Sequence, residues 1–502
     1  MKKILILIGL SAALMLKTTS CSKDFLNTVP TDAETIEALT GNFDAARSLL
    51  VGVNRTRFIN STHIATGTAS FGEGAFIDFL EYLGDDMFDL GETSQTGFWA
   101  RQALHTRMDN SAMTAIPWNM MYEWIRPLNE LLAITEDVNA TVAEQAWLRA
   151  QALAYRAHFF HMLVRMYGPA IHHSPDALGI VLILEPGVIS GIPRATVAES
   201  YAQIEADLLE ALDLMEQPGV AAVAAAHDRT FISTRVMQGI LSRVYLDMHN
   251  WTEAARFANL AGNDVLMSRA EFADGFYTRN SEWMWASFVP NDEGTMFHSQ
   301  PSKRTHTANM YPGAWGYAIN INRQLVAHTD SANDVRIGGL MVNFLGFPLS
   351  NAKFHWAAAG GPYDIVYMRN AEMMLNEAEA LLMANTDIAR ARTLVQSIIN
   401  ARINDGGAFA ATLNAMGRDE LLAEMKMQRR LEFWGEGHRW FDLKRRGETM
   451  DRRTTGANQA VMWPNSLLVD NPRSRYWVWY IPVREVNVNA AIVQNPLEQW
   501  GW

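Results

Sequence analysis

Two stretches of this chain read as a helix followed almost at once by another helix, and this pattern constrains the fold more than any other feature. Ser233 to Met248 and Thr252 to Ala261 carry apolar residues at helical spacing and are separated only by His249-Asn250-Trp251. Tyr363 to Ala384 and Ile388 to Ile403 repeat the arrangement around Asn385-Thr386-Asp387. A connection so short forces the two helices of a pair to pack on each other. Small residues stand where they would touch: Ser242, Ala254, Ala258 and Ala261 in the first pair, and Ala378, Ala380, Ala389 and Ala391 in the second. Pairs of this kind in succession predict a solenoid, in which each pair covers the apolar face of the one before.

In the first pair Leu241, Ser242, Tyr245, Ala254, Ala258 and Ala261 fall at the spacing of a tetratricopeptide repeat. Upstream, Trp118 to Ile134 is a helix that Pro127 should kink, Ala143 to Tyr167 a helix stopped by Gly168-Pro169, and Thr196 to Met215 a third. The fold class expected is mainly α: tetratricopeptide-like helix pairs in an α-α superhelical scaffold, with few short strands. Glu282 to Val289 is the best strand, with Trp283 and Trp285 alternating about Met284. Between the helical units lie Phe71 to Leu104, Thr278 to Tyr317 and Asn343 to Pro362, rich in Gly, Pro, Asn and aromatics. Disordered segments avoid aromatics, so these read as ordered loops forming an irregular ligand-binding face.

The chain has one cysteine, Cys21, so no disulfide forms within it and the fold must stand on its core. At 502 residues, 49% of them hydrophobic, it can bury a large one. Met1-Lys2-Lys3, the apolar run Ile4 to Leu16 and the small residues before Cys21 form a secretory signal; the run is shorter than the about 20 residues a membrane span needs. Residues 1–20 are thus expected to be a lipoprotein-type signal, Cys21 the lipidated residue, 21–45 a tether and 46–502 one domain, in two parts meeting near residue 230. The net charge of −12, without basic runs, excludes a nucleic-acid binder.

The stretch Gln428-Arg429-Arg430-Leu431-Glu432-Phe433-Trp434-Gly435-Glu436-Gly437-His438-Arg439-Trp440-Phe441-Asp442-Leu443-Lys444-Arg445 resembles the hallmark of the SusD/RagB family of Bacteroidetes outer-membrane lipoproteins. Gln428 stands where Glu is usual, and Gly435 spaces the second Glu. Trp118 with Tyr122, Ile125 and Asn129, the helix Arg149-Ala150 to Tyr167-Gly168-Pro169, and the ending Tyr480-Ile481-Pro482 to Asn495-Pro496 resemble other family segments in the same order. The resemblance implies a surface lipoprotein of the outer membrane that captures oligosaccharide and delivers it to a partner TonB-dependent, SusC-like transporter. It places a stacking tryptophan near Trp99, further aromatics at Tyr311 and Trp315, and Asp86 at the start of a loop near the ligand face, so Trp99, Asp86, Tyr311 and Trp315 are expected to stack on or hydrogen-bond the ligand; Trp356 is a weaker aromatic candidate.

The residues permit rival readings. Capture of a peptide would use the same face with more backbone hydrogen bonding. Glu432, Glu436, His438 and Asp442 lie close enough in sequence to suggest the two carboxylates of a glycoside hydrolase. A structural role is favoured instead: Glu432, Glu436 and Arg439 stand at helical spacing, and with Arg429, Arg430 and Asp442 they would form a salt-bridge network. Gly72-Glu73-Gly74 is too short for a phosphate loop, and no nucleophile elbow occurs. His158 and His161 are one helical turn apart and His172-His173 follow, but two ligands do not make a zinc site, and packed histidines are the expectation. No catalysis, metal or cofactor is expected. A tetratricopeptide-type interaction protein without a small ligand is the last alternative.

Overall fold

The computed structural model describes residues 36–59, 72–89 and 108–496, apart from 189–190, 228, 275, 277–278, 290–318, 330–332, 338–340, 345–346, 352, 354–363, 405 and 453–467. Cys21, Trp99, Tyr311, Trp315 and Trp356 therefore lie outside the described residues, as does the proposed signal segment. No described helix is long and apolar enough to cross a membrane.

The described chain is mainly helical. α1 (Phe43–Thr56) leads to α2 (Gly72–Leu83) and the short strand β1 (Met87–Asp89). Helices α3 (Ala112–Ile134), α4 (Val142–Tyr167), α5 (Val197–Met215), α6 (Thr234–Asp247) and α7 (Trp251–Ala261) follow. Strands β2 (Trp283–Ser287), β3 (Ile319–Ile321), β4 (Met341–Phe344), β5 (Phe347–Asn351) and β6 (Ile365–Arg369) come next. The chain then returns to helix in α8 (Asn370–Ala384), α9 (Ile388–Arg402), α10 (Arg418–Glu432) and α11 (Arg439–Arg446).

Each helix packs on its successor from α3 through α9, and α10 lies against α8. This is the paired, superhelical arrangement expected of the sequence. The two short connections share one construction. His249 (φ 58°) and Asn385 (φ 53°) take the left-handed conformation, and an Asn or Asp caps the next helix: Asn250 accepts from the Glu253 amide and Asp387 from the Arg390 amide. At the seam of α6 and α7, Ser242, Ala254 and Ala261 are completely buried and Ala258 nearly so. In the second pair Ala378, Ala380 and Ala391 are buried, whereas Ala389 is exposed and takes no part in the contact. α4 and α5 each begin with a reciprocal capping box, Thr141 with Glu144 and Thr196 with Glu199.

Pro117 and Pro127 both lie inside α3, which continues through them to Ile134. Two expectations need correction. Tyr363 to Ala384 is not all helix: Ile365–Arg369 is a strand paired antiparallel with β2, as the β-branched start of that run allows. Within the loop-like stretch Phe71 to Leu104, residues 72–83 are helical, and the glycines at their start concealed the periodicity of Phe76, Leu80 and Leu83. Trp283 and Trp285 are strand core, both buried in β2.

Candidate functional site: a loop-bearing sheet and its charged clamp

β1, β3, β5 and β4 form one sheet in that order, antiparallel throughout. The register aligns Asp89 with Ile319, and Phe88 with Asn320, which in turn pairs with Ser350. The chain leaves β1 after Asp89 and enters β3 at Ile319, so residues 90–107 and 290–318 adjoin the same end of the ladder. β5 runs against β3 and leaves at that end too, after Asn351, toward residues 354–363. These stretches contain Trp99, Tyr311, Trp315 and Trp356. Backbone pairing alone thus gathers the origins of the segments that carry the sequence-predicted aromatics.

The opposite end of the sheet is held by charge. Asn322, just past β3, donates from its amide to the Asp86 carbonyl (3.1 Å) and from Nδ2 to the Asp85 carbonyl (2.8 Å). Arg439 grips the Asp85 carboxylate through Nε and Nη2 at 2.6 and 3.1 Å. Arg430 grips the Asp86 carboxylate at 3.0 and 2.6 Å, and the Trp434 indole donates to the Asp86 carbonyl at 3.0 Å. Asp86 is 1% exposed, so its carboxylate faces arginine in the interior and anchors the root of residues 90–107. Arg452 closes this end by donating to the carbonyls of Tyr82, Gly84 and Met87.

The hallmark motif supplies Arg430, Trp434 and Arg439, but not from one helical face. α10 stops at Glu432, Gly435 (φ 81°) and Gly437 (φ 84°) reverse the chain, and α11 begins at Arg439. Glu432 and Glu436 consequently find partners far away in sequence instead of pairing with Arg439. Arg369 at the end of β6 donates to Glu432 and Glu282, both at 2.6 Å, and to Glu436 at 2.8 Å. Arg402 at the end of α9 reaches Glu432 at 2.9 Å and Glu282 at 3.0 Å. Lys353, two residues beyond β5, donates to the carbonyls of Glu432 and Trp434 and to Glu436 at 2.6 Å. Farther along, Arg429 binds Asp442 at 2.6 Å, Arg445 bridges Asp442 and Glu379, and Arg446 joins on Glu379.

The electrostatics suit a scaffold. Burial acts to raise the Glu436 carboxyl, but Arg369 and Lys353 outweigh it and bring it down to about 2. Burial likewise acts against Glu432 and Asp442, and their arginines hold both below the usual carboxylate range. Burial lowers the Lys353 amine to about 8 against the pull of Glu436. A carboxyl group acting as a general acid needs the opposite displacement from that of Glu432, Glu436 and Asp442.

The two histidines of α4 have separate partners. His158 meets Glu73 and His161 meets Asp247, each at 2.8 Å. Burial lowers both, His161 to about 4. Among the described residues no group of three or more His, Cys, Asp or Glu side chains is placed to hold a metal ion.

Two family models match the chain: "Starch-binding associating with outer membrane" over residues 62–246 and "SusD family" over residues 278–502. The chain belongs to the SusD/RagB family. A SusD-like carbohydrate-binding protein of Bacteroides vulgatus shares its fold, with a TM-score of 0.74 at 23% identity over 92% of this chain and 98% of that one. A SusD superfamily protein of Bacteroides thetaiotaomicron superposes with a TM-score of 0.72 at 22% identity over 91% of this chain and 100% of that one. A laminarin-binding SusD-like protein gives 0.64 at 20% identity, over 91% and 99% of the two chains. In sequence, SusD-like protein P38 of Formosa agariphila is 33% identical over 118 residues, 22% of this chain and 23% of that protein's length.

The sequence alone left Lys353, Arg369, Arg402 and Glu282 unassigned as members of this network. Their one shared signal is position: Arg369 and Arg402 end regular elements, and Lys353 follows one.

Proposed function

We propose that this SusD/RagB chain is a surface lipoprotein, tethered through lipid on Cys21 and the residues between it and the first helix, that captures oligosaccharide without turning it over and delivers it to a TonB-dependent, SusC-like transporter. The observation that carries the ligand site is the sheet register: the segments bearing Trp99, Tyr311, Trp315 and Trp356 arise at one end of β1, β3 and β5. Aromatic rings presented together cover the C–H faces of sugars while nearby polar groups bond the hydroxyls. Asp86 acts one step behind, by fixing the root of the Trp99 segment through Arg430. The names of the carbohydrate-binding and laminarin-binding relatives support a glycan over a peptide. The absence of turnover is supported by Glu432, Glu436 and Asp442, whose carboxylates are spent on arginine and lysine.

The test is calorimetric titration of the purified protein with a panel of soluble oligosaccharides and peptides, alongside an assay for released product. Saturable oligosaccharide binding that is lost on combining Trp99→Ala, Tyr311→Ala and Trp315→Ala is the expected result. Binding that survives the combination removes the site. Turnover abolished by one carboxylate substitution overturns the binding-protein reading.

A further inference from the structure

A second cleft, of about 550 Å³, lies between the start of α4, the connection from α5 to α6, and β2. None of its described lining residues belongs to the sheet of β1, β3, β5 and β4. Its inner wall is aromatic. The His227 ring lies 4.4 Å from that of Trp147 at an interplanar angle of 31°, and Phe231 is 5.2 Å from Trp147. Phe288 lines it as well.

Two arginines are built into the lining. Arg229 is pinned by a single nitrogen: Nη1 donates to the carbonyls of Asn280 (2.6 Å) and Trp283 (2.8 Å). Its Nε and Nη2 make no hydrogen bond with any described residue. The Arg279 guanidinium lies 3.7 Å over the Phe288 ring, and its carboxylate neighbour, Asp364, stands 3.9 Å away, beyond hydrogen-bond length. Both side chains are exposed. In a chain of net charge −12, no Asp or Glu among the described residues lines this cleft.

We propose that this cleft is a second ligand site, selective for an anionic saccharide, meaning a sugar ring that carries a carboxylate or a sulfate ester. The inference rests on the glycan-binding reading of the chain but not on the sheet-end site. The volume is that of a small-ligand pocket. The half-buried rings of His227 and Phe231, backed by the buried Trp147, offer an apolar wall to the sugar's C–H face. Arg229, held in place by backbone carbonyls with its remaining N–H groups unspent, meets a carboxylate or sulfate at little cost in side-chain entropy, and the Arg279 guanidinium adds a second positive charge that disfavours a cationic ligand. A neutral sugar would bring no charge to either guanidinium.

The experiment is titration of the purified protein with oligosaccharides of equal length: a neutral gluco-oligosaccharide, an oligogalacturonate, and a sulfated galacto-oligosaccharide. One of the two anionic probes is expected to bind at least tenfold more tightly than the neutral one, and the tighter of them identifies the acid group. Combining Arg229→Gln with Arg279→Gln should weaken that binding at least tenfold. The triple aromatic change at the sheet end should leave it in place. Arg279→Gln alone disturbs no backbone hydrogen bond of its side chain to a described residue, so it provides the test should Arg229→Gln unfold the protein, and is expected to weaken binding several-fold. Neutral binding at the sheet end with no anionic preference overturns the second site and leaves the first reading standing. Anionic binding untouched by Arg279→Gln, or abolished by the sheet-end change, overturns it as well. Failure of every oligosaccharide to bind removes both.

Discussion

The seam between α6 and α7 and the clamp beneath the loop-bearing sheet both hold separated stretches of chain together, with opposite chemistry. The seam uses side chains too small to be seen at a distance: Ser242, Ala254, Ala258 and Ala261 let two backbones approach and fill the space with almost nothing polar. The clamp uses the longest side chains available, Arg369, Arg402, Arg430, Arg439 and Lys353, each reaching a carboxylate or carbonyl on another element. Contacts of the first kind fail by degrees, in proportion to the volume added or removed. Those of the second kind fail abruptly, because one carboxylate serves several buried cations and removing it takes compensating charge from all of them at once. Charge also ties helix to helix, as Arg156–Asp207 does between α4 and α5 and Arg243–Glu372 between α6 and α8, but there each arginine has a single carboxylate.

The most damaging single change should therefore lie in the clamp. Glu432 accepts from Arg369 and Arg402, has Arg336 at 3.6 Å, and is completely buried. Glu432→Gln keeps the volume and removes the charge. A loss of about 3–5 kcal/mol is expected, the usual consequence of stripping one partner from a buried ion pair. Denaturant titration reads it. A loss under about 1 kcal/mol would place the clamp with the seam, as packing rather than electrostatics.

Acid separates the contributions by pH. Burial lowers His161 and His438 to about 4, so the unfolded chain takes up their protons first as the pH falls below 6.5. Stability should decline from pH 6.5 to about 4 on their account. Glu73, Glu372 and Glu436 are disfavoured as anions by burial, but their cationic partners bring each down to about 2. Their contribution is complete above pH 4.5 and is lost between 4.5 and 2, each pH unit of displacement being worth about 1.4 kcal/mol per group. The denaturation midpoint should thus fall in two stages. Glu436→Gln should flatten the lower stage and leave the upper slope alone; a lower stage unchanged by that substitution breaks the assignment to the clamp.

At the seam, Ala258→Leu inserts a branched side chain where the native residue is 1% exposed. Overpacking of this kind costs about 1–3 kcal/mol. The comparison predicts more than size: the cost should shrink for Ala258→Ser and grow with volume. A flat response across that series would mean that the seam opens as a unit.

The same contrast explains what could be read from the sequence. The helices declared themselves by periodicity, and their ends by local chemistry: Thr141, Thr196, Ser233, Asn250 and Asp387 each cap the helix that follows. Every one of those signals lies within a few residues of its effect. The clamp joins Asp86 to Arg430 and Glu282 to Arg402, and no local pattern announces such partners. Reading Glu432, Glu436 and Arg439 as one helical face failed for a local reason: the helix stops at Glu432, and Gly435 and Gly437 take positive φ before the next one begins at Arg439. The aromatics chosen as ligand contacts lie outside the described residues, so for them the sheet register at Asp89, Ile319 and Asn351 is the structural guide.

The smallest effect expected is also the cleanest check that the helical stack is a sum of local parts. Thr196 Oγ1 accepts from the Glu199 amide at 3.1 Å, while Glu199 accepts from the Thr196 amide at 2.8 Å; Thr141 and Glu144 repeat this at 3.2 and 2.8 Å. Thr196→Ala and Thr141→Ala should each cost about 1 kcal/mol in denaturant titration, the usual worth of an N-cap. The two boxes begin different helices and share no partner, so the double variant should lose the sum of the single losses. Near-additivity would confirm that each helix end is stabilised by its own residues. A double variant that loses much more than the sum would show that α4 and α5 unfold together, and the graded behaviour ascribed to the stack would then belong to its individual seams but not to its helix ends.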